Sequence, residues 1–542
     1  MFAKLKTHSF FSLCGRFKWY LLLLTLLGTV GSVVGVWFAF ASKTVVDVAA
    51  GEVQGDIVSA IIILMVLVVL QLVIQILNSR FYVIAAGKIE MYLRSLLFSE
   101  LLNKKLNEIE KMQTGELINR INSDTGVVVS AVVDIVPAAI ALSVRLLLCL
   151  WALFKLDAQI AVLCLILTPF MFLAGGIFRR KLKKMHKGYL ESEGKIRSFL
   201  IEAFGALTVI KTFVKEKFFA KQMEDYQQAS FSRQKEKNMF SIMTSTMFFL
   251  AVTAGYYAAL GWGAYKISVG AMTFGTLLAI LNLIGQIESP VRSISSLVPQ
   301  WYAASASLER IEELQNLETD LPPVLPQSDW SAIDFSCVSF AYEGISILNN
   351  FSATVPRGSV VTVAGESGIG KSTLFKLLLG FETPGSGEIA LLKEDGTRCA
   401  LHSGTRSMFA YVPQVNLLMS GTIAQNIAFG NPVNSERLEK SAKQAELWGL
   451  IQSLPQGFHT ELGENGYGLS EGEGQRVAIA RALYADAEIL LMDEGTSALD
   501  CETEKKVLEN LKEMGRTIIL ISHRDKAFEF SDMTIDLGRK EG

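Results

Sequence analysis

No two cysteines in this chain are spaced to share a metal. The six (Cys14, Cys149, Cys164, Cys337, Cys399 and Cys501) are scattered, with no C-x-x-C among them. That argues against a zinc cluster and against a disulfide framework, and the expectation is reduced, mostly buried thiols. An excess of one charge is also missing. Lys and Arg number 51 against 53 Asp and Glu, a formal net charge of −2. No basic patch is interleaved with aromatics, so a nucleic-acid partner is not expected. There is no internal repeat and no low-complexity tract. The first apolar run has no convincing cleavage site after it, so it does not read as a removable signal.

Apolar residues are abundant. They make up 50% of 542 residues, and the mean hydropathy is +0.34. The excess is concentrated in the first 300 residues or so, where six segments are long and apolar enough to cross a bilayer: 19–41, 57–77, 127–154, 159–178, 240–265 and 272–298. The link after the first is short and acidic (Asp47, Glu52, Asp56). The links after the second and fourth run to about 50–60 residues and are rich in Lys and Arg, which places them, both termini and the C-terminal half in the cytosol. Both long links carry helical periodicity, so they read as helices continuing out of the membrane. A helical stretch from Ser305 to Leu314 follows the sixth span and breaks at Pro322, Pro323 and Pro326. From about Asp329 the pattern alternates between strands and helices. The expected division is 1–18 cytosolic segment, 19–315 membrane domain, 316–328 linker and 329–542 α/β domain. The fold class is an α-helical transmembrane bundle followed by an α/β domain, and the motif at 365–373 makes that second domain a nucleotide-binding P-loop NTPase.

The residues that assign chemistry are Gly365-Glu366-Ser367-Gly368-Ile369-Gly370-Lys371-Ser372-Thr373, which fit G-x-x-x-x-G-K-[ST]. A β-branched apolar run precedes them and a helical run (Leu374 to Leu379) follows, the strand–loop–helix context that the motif needs. Glycines let backbone N–H groups turn toward phosphate oxygens, and the following helix points its positive end at the same anion. Lys371 is placed to reach the β- and γ-phosphates and Ser372 to hold Mg²⁺.

Further motifs follow in order. Tyr342 precedes the loop, Gln414 follows in Tyr411-Val412-Pro413-Gln414, and Leu469-Ser470-Glu471-Gly472-Glu473 comes next. Asp493-Glu494 then ends an apolar strand, followed by Ser497-Ala498-Leu499-Asp500 and by His523 after another strand. This set resembles the ATP-binding cassette (ABC) transporters, in particular half-transporters with an exporter-type six-helix membrane domain. The resemblance covers nearly the whole chain. It implies that Tyr342 stacks on adenine, that Gln414 contacts Mg²⁺ and the attacking water, and that Ser470 and Gly472 bind the γ-phosphate. Asp493 would lie near Mg²⁺, partly through water, Glu494 would polarise the attacking water, and His523 would be the switch histidine. The usual signature is LSGGQ, so two of five positions depart here. Gly495 stands where the family more often has Ala or Pro, a change expected to be neutral. The resemblance also implies short helices in the two long links that dock on the nucleotide domain, near 107–114 and 212–219.

One membrane domain and one nucleotide domain per chain imply pairing with a second half-transporter, either another copy or a different chain. The implied activity is ATP-driven export of a drug, lipid or peptide of small or medium size and amphipathic character, by alternating access in a bacterial plasma membrane. An importer, or an ATP-gated channel or regulator, is the alternative on this scaffold. About 18 residues precede the first span, so a leader-cleaving peptidase domain is not expected. Within the spans, Asp134 and Arg145 are eleven residues apart, about 16 Å along a helix and on one face. Asn282 and Gln286 could line the same cavity as these charges, with Glu288 deeper toward the cytosol.

Overall fold

A computed structural model of the chain describes residues 14–324, 329–342, 344–366, 368–415, 417–463 and 466–538, except for side chains in parts of three long helices. Ser367 and the side chain of Glu288 lie outside the described residues, as do many side chains of the fourth and sixth apolar segments. The chain forms two compact units. One holds residues through Leu101 and Thr114–Asn316; the other holds Leu102–Gln113 and everything from Leu317 onward.

The first unit is helical. It comprises α1 (Lys18–Ala49), α2 (Ile57–Leu102), then α4 (Thr114–Asn119), α5 (Thr125–Leu156), α6 (Ala158–Gly205), α7 (Leu207–Thr212), α8 (Glu216–Ser268) and α9 (Phe274–Asn316); the short α3 (Leu106–Glu110) lies in the other unit. Among the described residues, three segments are long and apolar enough to cross a membrane: Lys18–Ala49, Ile57–Leu102 and Thr114–Leu156. Each of the six apolar segments lies on one long helix, apart from the first two residues of 272–298, and the second, fourth, fifth and sixth of these helices run well past the apolar stretch, as the periodicity of the links anticipates. Helices α1, α5 and α9 pack on one another, and α6 packs on α8. The outer part of α2 is different. Ile62, Ile63, Met65, Val66 and Val69 are all exposed, an apolar face that a bilayer or a second chain has to cover.

Charged groups in this unit are tied down near the helix ends. A π-helical turn at Arg120–Asp124 joins α4 to α5. The Asp124 carboxylate accepts from Arg310 Nε at 2.8 Å, Arg310 Nη2 at 2.5 Å and Ser307 Oγ at 2.8 Å. Asp157 accepts from the backbone of Gln159 and Ile160 to cap α6, and pairs with Lys266 at 2.5 Å.

The second unit contains an antiparallel sheet in the order β2 (Ile345–Pro356), β1 (Trp330–Tyr342), β4 (Ser386–Lys393), β5 (Arg398–Ala400). A parallel sheet has the order β11 (Met533–Asp536), β3 (Val360–Ala364), β10 (Thr517–Ile521), β9 (Ile489–Asp493), β6 (Phe409–Val412); β7 (Gly421–Thr422) and β8 (Glu461–Leu462) form a small ribbon. The inner strands β9 and β10 are buried at every position, which is why they read as continuous apolar runs rather than alternating ones. Helices α10 (Lys371–Leu378), α11 (Ile423–Ala428), α12 (Ser435–Gln444), α13 (Trp448–Ser453), α14 (Glu471–Ala485), α15 (Cys501–Glu513) and α16 (Asp525–Phe530) complete it.

The tip of the first long link belongs to this second unit. Asn103 and Lys105 bond to the backbone of Asp320 and Glu318, Lys376 pairs with Glu110 at 3.1 Å, and Asn107 donates to Glu382 at 3.4 Å. The short helix there is Leu106–Glu110 and ends before the expected 107–114 stretch does. In the second link the short helix is Leu207–Thr212. Residues 213–215 form a turn, with Val214 at φ 54°, and Glu216 already opens the long α8. The expected 212–219 position is therefore wrong by about one turn and a half. The reason is local: the apolar residues of this segment continue through Phe213, Val214 and Phe218 without a sequence break to mark the true boundary.

The cysteines also depart from expectation. Of the five described, only Cys149 is buried, whereas Cys337 and Cys501 are exposed. Cys337 sits at an irregularity of β1 with φ 50°, and Cys501 opens α15 on its solvent side.

Candidate functional site

The phosphate-loop residues sit where the parallel sheet sends its C-terminal strand ends. Strand β3 ends at Ala364, and the loop then turns through Gly365, Gly368 and Gly370, all at positive φ. Gly370, at φ 117°, is the tightest case: a Cβ there would stand 2.5 Å from Ile347 Cγ2. Lys371 is buried, and its ammonium donates to the carbonyls of Gly365 at 2.8 Å and Glu366 at 3.0 Å. The loop is thus bridged from beneath by its own lysine. The Ser372 hydroxyl bonds to the carboxylate of Asp493, which ends β9. Burial raises the Asp493 pKa, and the Ser372 bond only partly offsets this. Tyr411, beside it, is pushed up to about 12, first by burial and then by the Asp493 charge.

Glu494 follows directly and has φ 50°, a conformation that costs a non-glycine residue about 1–3 kcal/mol and persists only when its surroundings enforce it. Here they do. Its N–H donates to Ile521 O at 3.0 Å, and its carbonyl accepts from Gln475 at 3.0 Å. The effect is to aim its carboxylate between two other residues that the sequence assigns to the site. Oε2 accepts from Gln414 Nε2 at 3.0 Å, and Oε1 lies 3.8 Å from His523 Nε2. Four elements therefore bring Lys371, Ser372, Gln414, Asp493, Glu494 and His523 to one edge of the sheet.

Tyr342 ends β1, packs edge-on against Phe340 with ring centroids 4.8 Å apart, and bonds to Thr373. Ser470 is the N-cap of α14. Glu473 closes a capping box with it, its Oε2 accepting from Ser470 N at 2.8 Å while Ser470 Oγ accepts from Glu473 N at 3.4 Å. These bonds hold the Glu473 carboxyl below its ordinary range, so it is charged at neutral pH. Gly472 is constrained within its own chain as well, since a Cβ there would stand 2.8 Å from Ala498 O. At Gly495 a Cβ would meet Met492 Cε and Val412 Cγ1 at 3.0 Å.

Gln475, two residues beyond the signature, is the main site residue that sequence reasoning missed. It is buried, donates to Glu494 O and accepts from Ala498 N at 2.9 Å. One side chain thus ties the signature helix to both the Asp493-Glu494 turn and the loop after it. Arg524 holds that loop from the other side through the carbonyls of Ser497 and Leu499. Gln475→Leu leaves a buried N–H and a buried carbonyl unpaired, which should cost about 1–3 kcal/mol. The expected result is a lower melting temperature for the full chain together with reduced ATP turnover, measured on one preparation. Unchanged values for both would remove Gln475 from this role.

No cluster of three or more His, Cys, Asp or Glu side chains poised for a metal occurs among the described residues. The bonded Ser372–Asp493 pair offers two hard oxygens, which fits a cation that takes its remaining ligands from water and phosphate.

In the membrane unit, Arg145, Asn282 and Gln286 line one cavity, as the sequence suggested, but Asp134 does not line it. Asp134 bonds instead to the Tyr82 hydroxyl on α2. The eleven-residue extrapolation from Asp134 to Arg145 passes through Pro137, which has no N–H for the helical ladder and so interrupts regular geometry.

The family model described as the ABC transporter transmembrane region matches residues 19–291, and the one described as ABC transporter matches residues 348–497. The chain is 30% identical to an ATP-dependent lipid A-core flippase of Desulfotalea psychrophila over 80% of this chain and 76% of that protein. It is 29% identical to another protein of that name, from Syntrophus aciditrophicus, over 83% and 76% of the two chains. A solved bacterial Atm1-family ABC exporter with ATP bound has the same fold, with a TM-score of 0.80, 23% identity, and coverage of 98% of this chain and 95% of that one.

Proposed function

Because the chain belongs to the ABC transporter family, with an exporter-type membrane unit joined to one nucleotide-binding unit, we propose that two copies pair and export a small or medium-sized amphipathic solute, hydrolysing ATP at sites shared between the copies. The observation that carries this reading is the convergence of Lys371, Ser372, Gln414, Asp493, Glu494 and His523 at one sheet edge. ATP-driven export is the family's activity; the pairing of identical chains, the residue roles and the cargo are our reading.

In this reading Tyr342 stacks on the adenine. The backbone N–H groups of Gly365, Glu366, Ser367, Gly368, Ile369, Gly370 and Ser372, with Thr373, surround the phosphates. Lys371 exchanges its two loop carbonyls for β- and γ-phosphate oxygens. Ser372 and Asp493 would hold Mg²⁺, with Gln414 contributing through water; the ion neutralises phosphate charge when bound. Glu494 takes the proton of the water that attacks the γ-phosphorus as the bond to ADP breaks, while Gln414 and His523 fix its carboxylate. Ser470 and Gly472 of one copy close on the nucleotide held by the other. ATP's preference for the closed pair supplies the bias that switches the helices between accessible faces. In this reading the Lys- and Arg-rich links lie in the cytosol with both termini and the nucleotide unit, and the membrane is a bacterial plasma membrane.

The departures in the signature have a consequence. Glu473 is charged and stands at the N-terminus of α14, where a γ-phosphate would approach. Glu473→Gln keeps a side chain that can still cap Ser470 and removes one repulsive charge. Charges at helix ends are worth about 0.3–1 kcal/mol, so ATP turnover at subsaturating nucleotide should rise about 2–5-fold, and the gain should shrink at high salt. A decrease would mean that the carboxylate is needed at the interface.

The transport reading is tested with full-length protein in inside-out vesicles, by following uptake of amphipathic probes together with ATP consumption. Accumulation against a gradient, in fixed ratio to ATP, is expected. Downhill flux uncoupled from turnover would favour a gated channel instead.

A further inference from the structure

Between α1, α2, α5, α8 and α9 lies a cavity of about 710 Å³, within the size range of small-molecule pockets. Five side-chain amides interrupt its otherwise largely apolar wall. Gln71, Gln75 and Asn78 lie on one face of α2, and Asn282 and Gln286 are one turn apart on α9. Arg145 is the one charged side chain among the described lining residues, and no carboxylate accompanies it.

Two buried polar atoms in this wall have no partner. Arg145 Nε is closed off from solvent without an acceptor, and Gln286 Oε1 is closed off without a donor. The Gln286 amide cannot simply be turned over, because its Nε2 donates to Gly35 O at 2.9 Å. Asp134, the acid on the same helix as Arg145, is engaged by Tyr82. Snorkelling does not solve the problem either. Arg145 is eleven residues from Leu156 at the end of α5, about 16 Å along the axis, which exceeds the reach of an arginine side chain. A guanidinium at this depth calls for an anion, and an oriented amide oxygen beside it calls for an N–H or O–H.

We propose that Arg145 anchors the anionic group of the cargo and that Gln286 Oε1 accepts from a donor on the same molecule. The chain would therefore select amphipaths bearing an anion and an amide or hydroxyl over neutral analogues. The proposal rests on the transporter reading above, so its test reads binding, which needs no turnover.

The experiment uses full-length protein in phosphatidylcholine nanodiscs without ATP and measures fluorescence anisotropy with three probes: dansyl-Gly-Phe as the free acid, its C-terminal amide, and dansyl-phosphoethanolamine. The acid and the phosphate ester should each bind at least about 10-fold more tightly than the amide, the equivalent of one charge-assisted contact. The order of those two then tells whether a carboxylate or a phosphate is the better anion. Arg145→Gln should bring both anions down to the level of the amide, Arg145→Lys should keep part of the preference, and Gln286→Leu should weaken all three probes alike. Monodisperse elution and the melting temperature establish that each variant is folded, and the wild-type comparison of acid with amide stands without any variant. Equal wild-type affinities for acid and amide, or an undiminished preference in Arg145→Gln, would overturn the proposal. A preference for the acid in a protein that shows no ATP-coupled uptake would support it while removing the transport reading.

Discussion

Glu494→Gln is expected to lower ATP hydrolysis by about 10²–10⁴-fold, the usual contribution of a positioned acid or base, while leaving nucleotide binding intact. The amide keeps the shape of the carboxylate, and Gln414 and the backbone bonds to Ile521 and Gln475 still fix the turn. What disappears is the group that takes the proton. A paired, ATP-loaded form should then accumulate, seen as ATP retained through gel filtration at near-stoichiometric levels. The strained φ of 50° at this residue points the same way, because such strain concentrates where geometry has to be enforced. Turnover within a few-fold of wild type in the purified variant would take Glu494 out of this role.

Much of this site could be read from sequence because its parts are local. The phosphate loop is one continuous stretch whose glycines are needed by its own backbone, and Asp493-Glu494 follows an apolar run that can only be a buried strand. The six long helices were legible for a similar reason, since bilayer thickness sets a minimum apolar length. What escaped depends on contacts between distant segments. Gln475 looks like any helical glutamine until α14 is laid against the turn at Glu494 and the loop at Ala498. Asp134 seemed a natural companion for Arg145 by helical arithmetic, but its partner, Tyr82, comes from another helix and Pro137 intervenes. The short α7 was misplaced because exposed apolar residues run straight through its end. The exposed cysteines defied a rule about residue type, since backbone position at a strand irregularity and a helix start decided their exposure.

Lys371→Ala should weaken ATP binding by about 10–150-fold, since bonds from a charged donor are worth about 1.5–3 kcal/mol each, and turnover should become undetectable. Ser470→Ala removes only the capping hydroxyl of α14; its own chain's phosphate loop is untouched, so nucleotide binding should persist while closure and hydrolysis fail. The two lesions differ in which copy they injure. If Lys371 and Ser470 acted on the same ATP within one chain, each mutant chain would be dead whatever it paired with. If they act across a pair, a Lys371→Ala chain still offers an intact Ser470, and a Ser470→Ala chain still offers an intact Lys371.

Mixing the two mutant chains, each inactive alone, therefore tests the shared ATP site most directly. The chains carry different affinity tags, are unfolded from each other in detergent, recombined, purified through both tags and returned to lipid, and ATP hydrolysis is then measured. The account predicts that doubly tagged pairs hydrolyse ATP well above either parent, because each such pair contains one site with intact Lys371 facing intact Ser470. Doubly tagged pairs no more active than the parents, or full activity from a strictly monomeric wild-type chain, would contradict it.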